Sequence, residues 1–265
     1  MPKLLFFDID GTLFDDWRRL PPSVLPAFRK ARENGCLLFL NTGRTLCNMD
    51  IRLDALPLDG CVLGCGTRVI LHGQTLKALE FTPADSARLR KEVLSQRIPL
   101  VWECDTAIYF DPLGEPHPAI SGFRDFADRA GISRDIHPDD PDFRAVKMFA
   151  FGPWEQVRSL LDRFQAIHLP FEAIDRQNSH WELVPAGCSK ASGIDLLREQ
   201  LGVPLSDCYA FGDSKNDLSM LSHVPHSVAM GNAPDEVKSL CSHVAPRPEE
   251  DGIAHALAAL GLIRS

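Results

Sequence analysis

The chain begins Met1-Pro2-Lys3-Leu4-Leu5-Phe6-Phe7 and then places two carboxylates two residues apart, in Asp8-Ile9-Asp10-Gly11-Thr12. On an extended strand Asp8 and Asp10 share a face, and Gly11 lets the backbone turn sharply behind them. A further carboxylate pair lies in Gly212-Asp213-Ser214-Lys215-Asn216-Asp217. If Asp213 comes near the first pair, the crowded charges repel one another, and a hard divalent cation relieves that repulsion. Oxygen-only ligands beside a phosphate suit Mg²⁺. One carboxylate can then attack phosphorus while the metal shields the negative charges. The other can protonate the leaving alkoxide and later deprotonate water. Thr42, the backbone amide of Gly43 and Lys190 can bind the non-bridging phosphate oxygens, which is how proteins mostly promote phosphoryl transfer.

These residues need a scaffold that gathers them at one edge. Leu4 to Phe7 is a short apolar run ending in a turn, the pattern of a buried strand. A helical period through Val24, Phe28 and Ala31 follows Pro21-Pro22-Ser23 and closes at Gly35. Cys36 to Leu40 predicts a second buried strand ending at Asn41-Thr42-Gly43-Arg44, and Cys61 to Leu63 a third, leading to Gly64-Cys65-Gly66. The C-terminal part repeats this: helix from Ser189 to Leu201, strand from Cys208 to Phe211, short helix from Lys215 to Leu221, strand from Ser227 to Met230, and a helical tail from Gly252 to Leu262. Alternating strands and helices imply a parallel sheet with right-handed crossovers. In such sheets ligands bind beyond the carboxyl ends of the strands, where the polar clusters fall; Lys190 lies instead just inside a helix start.

The middle has another texture, with strands tending to pair between helices. Helices are expected from Ala84 to Gln96, Ala119 to Ala130 and Trp154 to Gln165. Strands are expected at Leu100–Glu103, Ala107–Phe110, Ala145–Phe151, Phe171–Ile174 and Trp181–Val184. Gly131 to Asp142 reads as a loop, with Pro138, Asp139, Asp140 and Pro141 in it. The expected architecture is therefore α/β, a Rossmann-like doubly wound parallel sheet with an inserted α+β domain. The core spans 1–81 and 185–265, and the insert spans 82–184.

Composition narrows the partners. With 265 residues, 45% hydrophobic, there is ample core to bury. The formal net charge of −8 argues against nucleic acid and anionic membranes. A small anionic substrate needs only a local positive site, which a bound cation can supply. No apolar run approaches a membrane span. The eight cysteines are scattered in apolar runs, which suits free thiols in a reducing compartment. Cys61 and Cys65 without a second pair make a poor zinc site. The expected setting is cytoplasmic. The histidines show no metal-ligand spacing. Lys147 and Ser179-His180-Trp181-Glu182 lie in the insert; the expectation is a solvated lysine and a core tryptophan. Asp15-Asp16-Trp17-Arg18-Arg19 reads either as a mobile loop near the expected pocket or as an exposed connection.

Asp-Ile-Asp-Gly-Thr, Thr-Gly-Arg, the Lys after Gly-Cys-Ser, and Gly-Asp-Ser-Lys-Asn-Asp occur in the order of the four motifs of the haloacid dehalogenase (HAD) superfamily. Val228-Ala229-Met230-Gly231-Asn232-Ala233 and the large insertion between the second and third motifs add to the likeness. The chain resembles the Cof-type phosphatases, whose cap is of the C2 kind; the cap matches only in size, place and texture. The resemblance implies that Asp8 is nucleophile and metal ligand. Asp10 is general acid/base and ligates metal through its backbone carbonyl. Thr42 and Lys190 bind phosphate, Ile9 offers it a backbone amide, and Asp213 ligates metal. Asn216 assists phosphate or metal-bound water, and Asp217 stands behind the metal ligands. The implied cofactor is Mg²⁺, and the implied substrates are small phosphorylated metabolites: sugar phosphates, pyridoxal phosphate or flavin mononucleotide. The cap is expected to roof the pocket and exclude water. Asn41 departs from the small apolar residue common before Thr-Gly-Arg, and Cys65 from the Asn that often precedes Gly there. A sugar phosphomutase and a non-catalytic binding domain are the alternatives on this fold. A dehalogenase is disfavoured, because its chemistry does not require the acid/base at Asp10. The sequence leaves the oligomeric state open.

Overall fold

Leu4, Leu5, Phe6 and Phe7 are all fully buried, so the first strand, β1 (Leu4–Phe7), is covered on both faces. Such a strand is viable only at the centre of a sheet wrapped by helices. The computed structural model shows that sheet; it describes residues 1–15, 18–137, 140 and 142–264. The chain divides into two units, 1–43 with 50–77 and 189–265, and 44–49 with 78–188.

In the first unit, β1 is followed by α1 (Val24–Glu33), β2 (Leu37–Asn41), β3 (Gly60–Leu63), β4 (Arg68–Leu71) and β5 (Gln74–Ala78). In the second unit come α2 (Pro83–Gln96), β6 (Leu100–Glu103), β7 (Ile108–Phe110), α3 (Pro118–Ala130), β8 (Ser133–Asp135), β9 (Lys147–Phe151), α4 (Trp154–Ala166), β10 (Phe171–Asp175) and β11 (His180–Pro185). The chain returns to the first unit with α5 (Lys190–Leu201), β12 (Cys208–Gly212), α6 (Leu218–Leu221), β13 (His226–Ala229), α7 (Asp235–Lys238), β14 (His243–Val244) and α8 (Gly252–Ala259).

The first sheet runs β14-β13-β12-β1-β2-β3-β4-β5. It is parallel from β14 through β3, and β4 returns antiparallel to β3. The last pair was not legible in the sequence; His72 and Gly73, both at positive φ, make the tight turn between β4 and β5. Phe6 stacks on Phe39 at 5.1 Å on one face, within a cluster that includes Ile194 and Leu197 of α5. Phe7 meets Phe28 of α1 at 4.6 Å and Phe211 at 4.5 Å. Each such buried aromatic contributes about 1.5–3 kcal/mol. The doubly wound α/β core expected from sequence is thus the one observed.

The second unit is a six-stranded sheet, β10-β11-β9-β6-β7-β8. Leu89 and Val93 of α2 and Val157, Leu160 and Phe164 of α4 pack with Trp102, Met148 and Leu183. Ile120, Phe123 and Ala127 of α3 pack with Val101, Ile108 and Phe151. The segment 44–49 belongs to this unit: Leu46 N donates to Asp105 Oδ1 at 3.2 Å and Cys47 Sγ to the Cys104 carbonyl at 3.2 Å.

Two expectations need correction. Part of the 131–142 loop is strand: β8 pairs parallel with β7, Ile108 opposite Ser133. Ser133-Arg134-Asp135 carries no apolar alternation, so only backbone pairing to the edge of β7 makes it a strand. Pro138, Asp139 and Pro141 of that loop, like Asp16 and Trp17 of the 15–19 connection, lie outside the described residues. Lys147 is not solvated but 1% exposed. The β6–β9 register sets it opposite Glu103, whose Oε2 is 2.5 Å from its ammonium, and it also pairs with buried Glu182. Trp181 packs against the α2/α4 side and donates to the Gly152 carbonyl at 3.0 Å.

Candidate active site

The carboxyl end of β1 carries Asp8, which is 4% exposed. Its amide donates to the Phe211 carbonyl of β12 at 3.0 Å, so the two strands stay paired up to the point where their side chains become polar. Beyond the parallel ends of β1, β2 and β12 lie Asp8 to Thr12, Thr42-Gly43 and Asp213 to Asp217, brought to one sheet edge by the registers Phe7 with Leu40 and Phe7 with Phe211.

Lys190 opens α5, whose start is set by Ser189. The Ser189 hydroxyl accepts from the Ser192 amide, and the Ser192 hydroxyl accepts from the Ser189 amide, both at 3.0 Å. The lysine is wholly buried and points at the acidic strand ends. Its Nζ lies 2.6 Å from Asp8 Oδ1 and 2.5 Å from Asp217 Oδ1. Asp217 is also fully buried, and its Oδ2 accepts from the amides of Asp213 and Ser214, each at 2.9 Å. Both oxygens of Asp217 are thus held by the protein, which suits a supporting position behind Asp8 and Asp213.

Asp213 Oδ1 accepts from the Thr12 hydroxyl at 3.1 Å. Side-chain oxygens of Asp8, Asp213 and Asp217 all lie within 4.8 Å of one another. Burial raises Asp8 to about 7, and the charge of Asp217 adds to this against the opposing pull of Lys190. Burial likewise raises Asp213 to about 8, with Asp217 and Asp8 contributing. Burial alone would push Lys190 down, but Asp217 and Asp8 outweigh it and hold the ammonium charged, above its ordinary value. One cation thus faces three carboxylates. Hard oxygen donors this close, raised by burial and then by mutual repulsion, fit a divalent ion.

The remaining expected residues are placed as follows. Asp10 is exposed and lies near enough to raise Asp8 electrostatically. The Ile9 side chain is buried, and its carbonyl accepts from the Leu13 and Phe14 amides at 3.0 and 2.8 Å. Thr42 is buried; its amide donates to Val62 at 2.9 Å and its carbonyl accepts from Cys65 at 3.0 Å. Gly43 is half-buried at the β2 turn. Asn216 is buried, its Oδ1 accepting from the Ser214 hydroxyl at 2.6 Å.

Thr12 and Asn232 stand inside the motifs, but their local sequence pattern assigns them no role. Thr12 orients Asp213, and Asn232 Nδ2 donates to the Gly11 carbonyl at 2.9 Å. From sequence alone Gly11 is a turn residue. Gly11 has φ +81°, and a Cβ there would fall 2.3 Å from Asp213 Oδ2. Gly11→Ala is therefore expected to destabilise the protein by about 2 kcal/mol or more and to push Asp213 aside. Urea unfolding and a Mg²⁺ titration check this together; unchanged midpoints in both would contradict the close approach.

A family model described as haloacid dehalogenase-like hydrolase matches residues 5–257. The chain belongs to the haloacid dehalogenase-like hydrolases. This HAD-like hydrolase is 32% identical to the HMP-PP phosphatase of Serratia proteamaculans (strain 568), over 97% of this chain and 94% of that protein. It is 33% identical to the HMP-PP phosphatase of Escherichia coli (strain 55989 / EAEC), over 92% of this chain and 89% of that protein. Among solved structures it resembles the HAD subclass IIB sugar phosphatase BT4131, with TM-score 0.81 and 25% identity, covering 98% of this chain and 100% of that one. The family that the motifs resembled is thereby shown, and the HAD-like hydrolase is a phosphatase. Among its described residues no helix is long and apolar enough to cross a membrane.

Proposed function

We propose that the enzyme is a Mg²⁺-dependent phosphatase of small phosphorylated metabolites that passes the phosphoryl group through Asp8. The observation that carries this reading is the Asp8 carboxylate, held by Lys190 at 2.6 Å at the tip of β1, beside Asp213 and Asp217. The substrate class follows from what similar proteins are named for, HMP-PP and sugar phosphates. Sugar phosphates, pyridoxal phosphate and flavin mononucleotide are candidates to screen.

In the first half-reaction an Asp8 oxygen attacks phosphorus, the bond to the leaving oxygen breaks, and Asp10 gives that oxygen a proton. In the second, Asp10 takes a proton from water, the water oxygen bonds to phosphorus, and the Asp8–phosphorus bond breaks to release phosphate. Lys190, Thr42, the amides of Ile9 and Gly43, and Asn216 hold the non-bridging oxygens. Asp8, Asp213 and the Asp10 carbonyl would hold the metal, with Asp217 behind them, and the ion would neutralise charge on the phosphoryl group. The exposure of Asp10 suits a group that exchanges protons with substrate and water.

Phosphate release over a metabolite panel, with Mg²⁺ and with chelator, tests the function; activity that survives exhaustive chelation would remove the metal from the reading. The raised carboxylates also give a stability signature. Asp8 and Asp213 bind protons more tightly in the folded protein, at about 7 and about 8, than an ordinary carboxylate does. The metal-free protein is then most stable at low pH within the folded range, and loses stability as pH rises through 7 to 8. Between pH 6 and pH 8.5 its melting temperature is expected to fall by about 5 °C, and saturating Mg²⁺ is expected to restore most of that. Thermal melts at both pH values, with and without Mg²⁺, measure it. A Mg²⁺ effect equal at the two pH values would count against these carboxylates as the binding site.

A further inference from the structure

β2 ends in a buried amide that packing alone does not explain. Asn41 is wholly buried at the last residue of the strand, directly before Thr42. Its Nδ2 donates to the backbone carbonyl of Lys190 at 3.0 Å. Its Oδ1 is buried and, among the described residues, accepts no hydrogen bond. A buried oxygen without a donor is unfavourable, and an aliphatic side chain at the same place would avoid it. The rest of the strand, Leu37-Leu38-Phe39-Leu40, is apolar throughout. The one bond that Asn41 does make is therefore where its use lies.

That bond joins the two elements that carry the expected phosphate-binding groups. β2 delivers Thr42 and Gly43, and α5 delivers Lys190. The lysine side chain is long and has many rotamers. Its ammonium is fixed by Asp8 and Asp217, and its backbone is fixed to β2 by Asn41. The Ser189 and Ser192 capping bonds stay within the helix start and do not reach β2. We infer that Asn41 is a positioning residue, whose amide sets the separation between the Thr42-Gly43 turn and Lys190 and so the shape of the cradle for the phosphoryl oxygens. This rests on the phosphatase reading of Asp8, and it gives Asn41 no contact with substrate.

Asn41→Leu keeps the branching of the side chain and loses the bond, whereas Asn41→Ala loses bulk as well. Three quantities separate positioning from packing: kcat on an ester that the wild type hydrolyses, affinity for inorganic phosphate by calorimetry, and melting temperature. Asn41→Leu is expected to lower kcat about tenfold and weaken phosphate binding about fivefold, with the melting temperature at or above that of wild type. Asn41→Ala is expected to show the same losses and a lower melting temperature. If both variants keep kcat and phosphate affinity within about twofold of wild type, Asn41 only packs and the inference is overturned. Failure of the underlying function shows separately, as absence of phosphate release from the wild type, and the calorimetric comparison still decides the role of Asn41.

Discussion

Asp8→Asn is expected to lower kcat for phosphate release by about four orders of magnitude or more, with the protein still folded. The amide cannot form the covalent bond to phosphorus, and no neighbouring carboxylate replaces it. Asp217 has one oxygen on Lys190 and the other on two backbone amides, and Asp213 accepts from Thr12. Folding survives because Lys190 keeps Asp217 as its partner and because one of three mutually repelling carboxylates becomes neutral. In metal-free buffer at pH 8 the variant is therefore expected to melt at or above the wild-type temperature. Quenching a reaction with radiolabelled substrate adds a direct readout: label stays on wild-type protein and not on the variant. A variant rate within about tenfold of wild type would take Asp8 out of the mechanism.

Lys190→Met is expected to fail in both stability and activity. The lysine is wholly buried, and its ammonium pairs with Asp8 and Asp217. Removing one member of a buried charge cluster leaves the others uncompensated, which costs about 3–5 kcal/mol. The pH dependence gives the sign. Without the ammonium, Asp8 titrates higher still, so the folded variant prefers to keep it protonated. Its deficit is then largest at pH 8 and shrinks as pH falls toward 5.5. Urea unfolding at the two pH values measures this, and a deficit independent of pH would mean that lost packing, not charge, is responsible. For activity the loss is of a charge that binds phosphate and stabilises the transition state, with an expected drop of about 10²–10³ in kcat/KM. Adding Mg²⁺ is expected to recover part of the stability and little of the rate, since the ion relieves repulsion without occupying the lysine's place.

The two variants separate the roles of the pair. One removes the attacking group and relieves charge; the other removes the countercharge and concentrates it. Opposite shifts in metal-free stability with a common loss of turnover are the combined signature of a nucleophile and its buried partner.

Much of this was legible in the residues alone because the informative segments are local. Leu4 to Phe7 is apolar on every residue, which only a strand buried on both faces explains, and the polar residues begin where the strand stops. The four motifs stand in family order, and the pairing of β1 with β2 and β12 puts their strand ends at one edge. The alternation of strands and helices was enough for the doubly wound core, and paired strands were enough for an α+β insert. Where the local pattern was silent, the reading failed. Ser133-Arg134-Asp135 has no apolar face and is strand only because β7 offers an unpaired edge.

Lys147 shows the limit most clearly. A lone lysine reads as solvated, yet the β6–β9 register sets Glu103 directly opposite it, and Glu182 of β11 closes the cluster. Register is a property of two strands, so neither strand discloses it. Gly11 and Asn41 are of the same kind. The need for glycine at position 11 comes from Asp213, 202 positions later, and the use of Asn41 comes from a carbonyl at Lys190. The sequence by itself determined which side chains are chemically competent and that they end their strands, because composition and periodicity act over a few residues. Only the tertiary structure decided which carboxylates crowd, which cation compensates them and how far their ionisation is displaced. Burial and Coulomb energy depend on distance in space, which the chain sets only when it folds.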